Sequence, residues 1–205
     1  MLFLLPFLLS CTDGKENNTA PPAAVTKPDS SIRTKSDTSI NPYIQVDISP
    51  MDMSYYPVDY PKMKMAKATS SLPLARVIYS RPHLQGRHVF HEVLKYDEPW
   101  RLGANESMEF DLYNDAVIQG QKIKSCRYVL YCIPQPDEWT IILNSNIDSW
   151  GLQPDPAKDV ARFTVPVIKT NHSLEYFTMV FQQTGNGAGL LIAWDNVEVR
   201  LPLKF

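Results

Sequence analysis

This sequence has few cysteines, no long apolar run and no excess of positive charge. No apolar stretch approaches the length of about 18 residues that a helix needs to cross a bilayer. The chain carries 20 Lys and Arg against 22 Asp and Glu, a formal net charge of −2. The body of the chain has no Lys/Arg cluster that would attract a phosphate backbone. We therefore expect no nucleic-acid partner.

Catalytic signatures are missing as well. The sequence has no G-x-S-x-G elbow, no H-E-x-x-H pair and no glycine-rich phosphate loop after a strand, and "GNGAG" is typical of a hairpin turn. His83, His88 and His91 have H-x4-H-x2-H spacing, which fits either a zinc site or a solvated loop, and no fourth ligand stands at a recognisable spacing. We therefore assign no catalytic residue, and we predict no metal site and no cofactor.

The chain has only three cysteines. Cys126 and Cys132 fall on one face of a single predicted strand, where about 3.3 Å per residue separates them by roughly 20 Å, too far for a disulfide. We predict that both are small buried hydrophobic residues.

The third cysteine, Cys11, ends a short apolar leader, "MLFLLPFLLSC". The leader has about ten apolar residues, which suits an export signal better than a membrane span. Leu8-Leu9-Ser10-Cys11 resembles the lipobox of bacterial lipoproteins, in which the cysteine is acylated and becomes the membrane anchor. Residues 1–10 are then a lipoprotein signal peptide, and the protein is anchored in the bacterial envelope, on the periplasmic or the surface face of the outer membrane. A leader with a chance cysteine is the alternative.

Two segments of different character follow. Residues 11–41 are mostly Lys, Asp, Asn, Ser, Thr, Ala and Pro, so they cannot bury enough apolar surface to fold and are predicted to be a disordered tether. Residues 42–61 are rich in Tyr, Met, Ile and Pro. We predict a proline-rich strap that packs on the domain in extended form with few ladder hydrogen bonds, or that binds a partner as a peptide.

Residues 62–205 have the sequence pattern of a series of short strands. Several runs are rich in β-branched and aromatic residues and alternate with period two, and turn signals such as "IQGQK", "QPDE", "TGNGAG" and "WDN" separate them. The pattern predicts an all-β fold, an antiparallel β-sandwich or jelly roll of about eight to nine strands with little helix. The predicted strands are "ARVIYS", "MEFDLY", "CRYVLYCI", "EWTIILN", "ARFTVPV", "EYFTMVFQQ", "LLIAWD" and "VEVRLPL".

Several blocks occur in a fixed order: "ARVIYSRP", "GRHVF", "PWRLGANE", "YVLYCIP", "DEWTIILN" and "WGLQPDPAKDV". Together they resemble the bacterial family known as domain of unknown function 2911, and "SPMDMSYYPVDYP" is similar to the segment that precedes the domain in its lipid-anchored members. The resemblance runs from about Ser49 to Leu203. It implies an exported, mostly β domain, and it brings no substrate and no catalytic residue.

Polar and aromatic residues near predicted strand ends form the candidate ligand site, because loops gather at one rim of a sandwich. Guanidinium groups suit carboxylate or phosphate ligands, and indole rings can stack on sugars. A purely structural corner is the interpretation that we favour over a ligand site: Arg101 could pair with Glu106, Asn105 could close the turn after Gly103, and Trp100 could fill the core. The candidate residues are Arg81, Trp100, Arg101, Asn105, Glu106 and Trp150.

Two functions from different classes remain open. The first is a binding or scaffold module of the cell envelope for a glycan, a peptide or a protein partner. The second is a hydrolase that acts on an envelope or imported polymer, in which Glu106 would work with Asp111 or Asp159 at a separation that sequence cannot show.

Overall fold

The structure is a computed structural model that describes residues 47–185 and 187–205. The predicted signal peptide, Cys11 and the tether of residues 11–41 lie outside the described residues. In the part described, no helix is long and apolar enough to cross a membrane.

Strands make up most of the described chain, with three short helical segments between them. The helical segments are α1 (Tyr60–Met65), a π-helical turn (Val89–Val93) and a 3-10 turn (Pro156–Lys158). The strands are β1 (Met51–Tyr56), β2 (Ala75–Ser80), β3 (Met108–Leu112), β4 (Ala116–Ile118), β5 (Gln121–Ile123), β6 (Cys126–Pro134), β7 (Glu138–Asn144), β8 (Asp159–Pro166), β9 (Ile168–Thr184) and β10 (Gly187–Leu203).

Six strands form one antiparallel sheet in the order β1-β2-β3-β6-β7-β8. Side chains alternate along each strand, so Phe110, Leu130, Ile141 and Phe163 from neighbouring strands are all buried on one face. Burying this apolar face supplies the main driving force for folding.

The two longest strands, β9 and β10, pair with each other as a hairpin and provide the opposite layer of the core. Aromatic contacts join the layers: the rings of Tyr79 and Phe177 lie 5.7 Å apart between centroids, and those of Phe110 and Phe181 lie 6.5 Å apart. This architecture confirms the prediction of an antiparallel, all-β sandwich.

Residues 51–56 differ from the expectation of few ladder hydrogen bonds. They form β1, which pairs with β2 over its whole length from Met51 opposite Ser80 to Tyr56 opposite Ala75. The prolines do not prevent this pairing, because Pro50 and Pro57 flank the strand and Pro61 lies in the first turn of α1.

The "WDN" turn signal also has a different outcome. The stretches predicted as two strands on either side of it form the single strand β10. The register shifts on both sides of Asp195, whose φ is +52°, so this residue lies in a β-bulge. Asp tolerates positive φ, so it occurs both in turns and in β-bulges. In this chain the pairing of β9 with β10 makes the position a bulge.

One of the two cysteine predictions is wrong. Cys132 is fully buried, and burial raises the pKa of its thiol, but Cys126 is exposed. Cys126 is the first residue of β6 and is exposed although its partner Leu112 is buried, so its alternation with Cys132 does not bury it. Both cysteines are free.

Candidate functional site

The "PWRLGANE" segment, which we call the corner (residues 99–106), is anchored in the core by Trp100. The backbone of Trp100 exchanges two hydrogen bonds of 2.8 Å with Cys132 of β6. Its indole is only 7% exposed and packs near Trp139, Phe177 and Trp194. Trp100 therefore fills the core, as the structural alternative for this residue proposed.

A serine from the neighbouring strand closes the turn in the corner. The buried Ser80 Oγ accepts hydrogen bonds from the backbone N–H groups of Ala104, at 2.7 Å, and Asn105, at 3.2 Å. A Cβ at position 103 would lie 2.8 Å from the same oxygen, so Gly103 permits the close approach. The structural alternative allowed this role for the side chain of Asn105, but the group that closes the turn is Ser80 Oγ.

The Asn105 side chain points to the chain that precedes β1. Its Nδ2 donates to Asp47 Oδ2 at 2.5 Å and lies 3.5 Å from the carbonyl oxygen of Ser49. Asn105 thus links the corner to residues 47–49, which reach the rim of the fold just ahead of β1.

Arg101 makes its contacts with backbone carbonyls and an aromatic ring. Its guanidinium donates to the carbonyl oxygens of Ala104 and, at 3.1 Å, Trp150, and it lies over the Trp150 ring at 5.7 Å. Burial lowers the pKa of Arg101, and the nearby charge of Glu106 partly opposes this shift. Within the described residues no carboxylate lies within 4.0 Å of Arg101, and Glu106 is exposed, so the expected Arg101–Glu106 ion pair does not form.

Trp150 belongs to the β7–β8 connection, residues 145–155, which packs against the start of β3. The N–H of Ser107 donates to the carbonyl oxygen of Ser149 at 3.3 Å, and the two hydroxyl groups lie 3.0 Å apart. Gly151 has φ of +77°, and a Cβ there would lie 2.2 Å from Ser107 Oγ. A glycine is thus required for this connection to pack against Ser107, and the Trp150 indole remains 56% exposed.

The corner forms one wall of a cleft of about 470 Å³, which we call the corner cleft. This volume falls in the range of about 300–1,000 Å³ that is usual for small-molecule sites. Trp100 and Trp194 contribute apolar surface to it, and Ile48 and Leu152 are strongly exposed beside them, at 69% and 67%. Its polar lining consists of Ser49, His83, Gln85, Arg87, Lys95, Glu98 and Arg101.

Arg87 resembles Arg101 in its bonding. Its Nε donates to the carbonyl oxygen of Leu84 at 2.8 Å and its Nη2 to that of His83 at 3.1 Å. Across residues 47–185 and 187–205, all other arginines have a carboxylate within 4.0 Å, whereas Arg87 and Arg101 have none, and both line the corner cleft. The paired arginines are Arg76, Arg81, Arg127, Arg162 and Arg200.

The remaining candidate residues lie in neighbouring depressions. Arg81 pairs with Asp52 at 3.2 Å and lies 5.6 Å from the ring centre of Tyr176, in a depression that also contains Ile48 and His83 of the corner cleft. Glu106 and Trp150 line a third, smaller depression. Of the predicted ligand residues, the corner cleft therefore includes Trp100 and Arg101.

The carboxylates considered for hydrolysis are bonded elsewhere. Asp111 accepts from Arg76 Nε at 2.9 Å, and Asp159 accepts from Tyr131, Asn144 and Arg162. Glu106 and Asp111 line different depressions. None of the depressions described above contains two of these three carboxylates.

The histidines of the H-x4-H-x2-H pattern point to different acidic partners. His83 Nδ1 lies 3.6 Å from Glu175, and His88 Nδ1 lies 3.8 Å from Asp195. Among the side chains that the structure describes, which exclude His91, no three His, Cys, Asp or Glu residues are placed to hold a metal ion.

Sequence reasoning missed Arg87 and Ser80. Arg87 lies in the quoted block "GRHVF" and has no acidic residue within four positions on the N-terminal side, a weak signal that its partner must come from elsewhere. Ser80 gave no signal, because its role depends on β2 ending beside the corner, which only the folded structure brings about.

Comparisons with known proteins place the chain in a family without adding an activity. No curated protein and no solved structure matches it significantly. The model of the family described as "Protein of unknown function (DUF2911)" matches residues 61–203, a span that contains the corner, Arg87 and the β7–β8 connection. The chain therefore belongs to the DUF2911 family.

Proposed function

We propose that this protein is an exported, lipid-anchored binding module of the bacterial cell envelope, and that its partner binds in the corner cleft. One observation carries the proposal: Arg87 and Arg101, the two described arginines without a carboxylate partner, line the same partly apolar cleft. Guanidinium groups that are not neutralised within the protein remain available to a ligand.

The bonding of the cleft residues favours binding over hydrolysis. Glu98 is the carboxylate among the described lining residues, and it lies 3.3 Å from the ammonium group of Lys95. Paired carboxylates at a set separation are what glycoside hydrolysis needs, and the cleft supplies an apolar surface with cationic groups instead.

Anchoring through Cys11 is supported by the Leu-Leu-Ser-Cys junction after an apolar leader. We expect that Cys11→Ser moves the protein from the membrane fraction to the soluble fraction of the cell, because the acylated thiol is the proposed anchor. Cell fractionation and mass spectrometry of the N-terminal peptide test this. A mutant that remains in the membrane fraction would show that another feature holds the protein there.

Binding in the cleft can be tested with the full-length protein carrying Cys11→Ser, on arrays of glycans and of short peptides. Leu152→Glu places a charge in the cleft, and Leu72→Glu is the matched control, since Leu72 is exposed to a similar degree, 69%, and does not line the cleft. We expect that array signals are lost with Leu152→Glu and kept with Leu72→Glu. Equal signals from both variants would place the binding surface elsewhere.

A further inference from the structure

We propose that the corner cleft recognises the C-terminal carboxylate of a peptide whose last residue is apolar. The inference rests on the proposed binding function and specifies its ligand. Arg87 and Arg101 would bind the carboxylate, and the apolar part of the cleft would take the last side chain.

The first step is the charge of the cleft. Lys95 and Glu98 lie 3.3 Å apart and offset each other's charge, whereas Arg87 and Arg101 have no described carboxylate within 4.0 Å. Each guanidinium spends two donor contacts on backbone carbonyls, and its other N–H groups are free for an acceptor. An anionic ligand is therefore the electrostatic complement of this cleft.

The second step is the incomplete solvation of Arg101. Its guanidinium is half-buried between the corner and the β7–β8 connection, and burial lowers its pKa. A charge that is removed from water without an ion-pair partner destabilises the free protein, and a bound carboxylate would offset that cost.

The third step is the apolar lining. Ile48 and Leu152 are exposed aliphatic side chains of the cleft, and the largely buried Trp100 and Trp194 also line it. Sugars usually bind to exposed aromatic faces, but the exposed indole of this region, Trp150, lines a different depression. Aliphatic side chains beside cationic groups suit an apolar group attached to a carboxylate.

A peptide C-terminus and a free fatty acid share this chemistry. The peptide is favoured because the cleft holds about 470 Å³, which is room for two or three residues, and because its rim offers polar groups such as Ser49, Gln85 and His83 to a peptide backbone. The alkyl chain of a fatty acid has no N–H or C=O groups that could bond to this rim.

The experiment measures binding of the full-length Cys11→Ser protein to an array of tripeptides that cover every last residue, each as a free acid and as a C-terminal amide. Decanoate is the fatty-acid arm. We expect binding of free acids that end in Leu, Ile, Val, Met or Phe, with at least ten-fold weaker binding of the matching amides. Loss of a hydrogen bond to a charged group is worth about 1.5–3 kcal/mol, or roughly 10- to 150-fold in affinity.

Arg87→Gln is the test variant, since Arg87 is exposed and its replacement leaves the core intact. We expect that it weakens acid binding about ten-fold or more and leaves amide binding unchanged. Arg200→Gln removes the same charge outside the cleft and should change neither. Decanoate binding that depends on Arg87, without peptide binding, would overturn the peptide assignment.

The proposed function and this inference fail in different ways. Equal binding of acids and amides that Leu152→Glu abolishes would overturn carboxylate recognition and keep the cleft as a binding site. Binding that is confined to glycans and abolished by Leu152→Glu would do the same. Binding of nothing on any array would contradict both.

Discussion

The guanidinium carbon of Arg101 lies 5.7 Å from the centre of the Trp150 indole, and Arg101 Nη1 donates to the carbonyl oxygen of Trp150 at 3.1 Å. These two contacts join the corner to the β7–β8 connection, although the residues are far apart in sequence. The position of the Arg101 guanidinium at the corner cleft and the position of the Trp150 indole therefore depend on the same contacts.

We predict that Arg101 and Glu106 are only weakly coupled in energy. A double-mutant cycle with Arg101→Ala and Glu106→Ala should give a coupling energy below about 0.5 kcal/mol, since no ion pair joins them and Glu106 is exposed. The matched cycle of Arg76→Ala and Asp111→Ala should give about 1–3 kcal/mol, because Arg76 Nε donates to Asp111 at 2.9 Å and both side chains are largely buried. Chemical denaturation measures both cycles.

A coupling energy above about 1 kcal/mol between Arg101 and Glu106 would contradict this assignment. It would indicate that Arg101 and Glu106 form the ion pair that the sequence analysis allowed. Arg101→Ala alone is expected to destabilise the protein, because it frees the carbonyl groups of Ala104 and Trp150.

Gly151→Ala should destabilise the protein more than Gly120→Ala. Both glycines have positive φ, +77° and +82°, so both substitutions carry a backbone cost of about 1–2 kcal/mol. A Cβ at position 151 would also meet Ser107 Oγ at 2.2 Å, whereas nothing lies within 4 Å of one at position 120. The difference in unfolding free energy between the two variants, expected at about 1–3 kcal/mol, measures the cost of the clash with Ser107. Equal losses would show that the β7–β8 connection moves to avoid the clash.

Ser80→Ala is expected to cost about 1–3 kcal/mol in unfolding free energy, because it removes the acceptor of two backbone N–H groups in the corner. The exposed Ser125→Ala serves as the control. Urea denaturation gives the free energies, and amide hydrogen exchange at Ala104 and Asn105 gives the local effect. Unchanged exchange at these two amides would show that another group holds the turn.

The contribution of Tyr131 to stability should decline at high pH. Burial, together with the hydrogen bond to Asp159, raises the pKa of Tyr131 to about 12, compared with about 10 in an unfolded chain. The unfolded state therefore loses the proton first, so the contribution is complete below pH 10 and is lost as the pH rises toward 12. The stability gap between wild type and Tyr131→Phe should narrow from pH 8 to pH 11 in urea denaturation; a constant gap would contradict the shift.

The strand pattern could be predicted because burial on one face imposes a period of two on the sequence. The run "EWTIILN" was predicted as a strand and forms β7, Glu138–Asn144, with Trp139, Ile141 and Leu143 buried. The family could be recognised because six sequence blocks occur in the order that is typical of it.

The site could be predicted only in part, because its geometry depends on contacts between distant segments. Arg101 was found, but its partners, the carbonyl groups of Ala104 and Trp150, carry no side-chain signal. Arg87 enters the cleft through the folding of the β2–β3 connection. The prolines that flank β1 favoured a segment with few ladder hydrogen bonds, but β1 pairs with β2 over its full length.

The position of β1 at the edge of the sheet bears on how copies of this protein avoid sticking to each other. Without Met51–Tyr56, one row of backbone groups on β2 would be bare and open to strand addition by a second molecule. Pro50 and Pro57, at the two ends of β1, lack the N–H groups that further strand addition would use. The family match begins at residue 61, so the strand that covers β2 lies upstream of the shared family region.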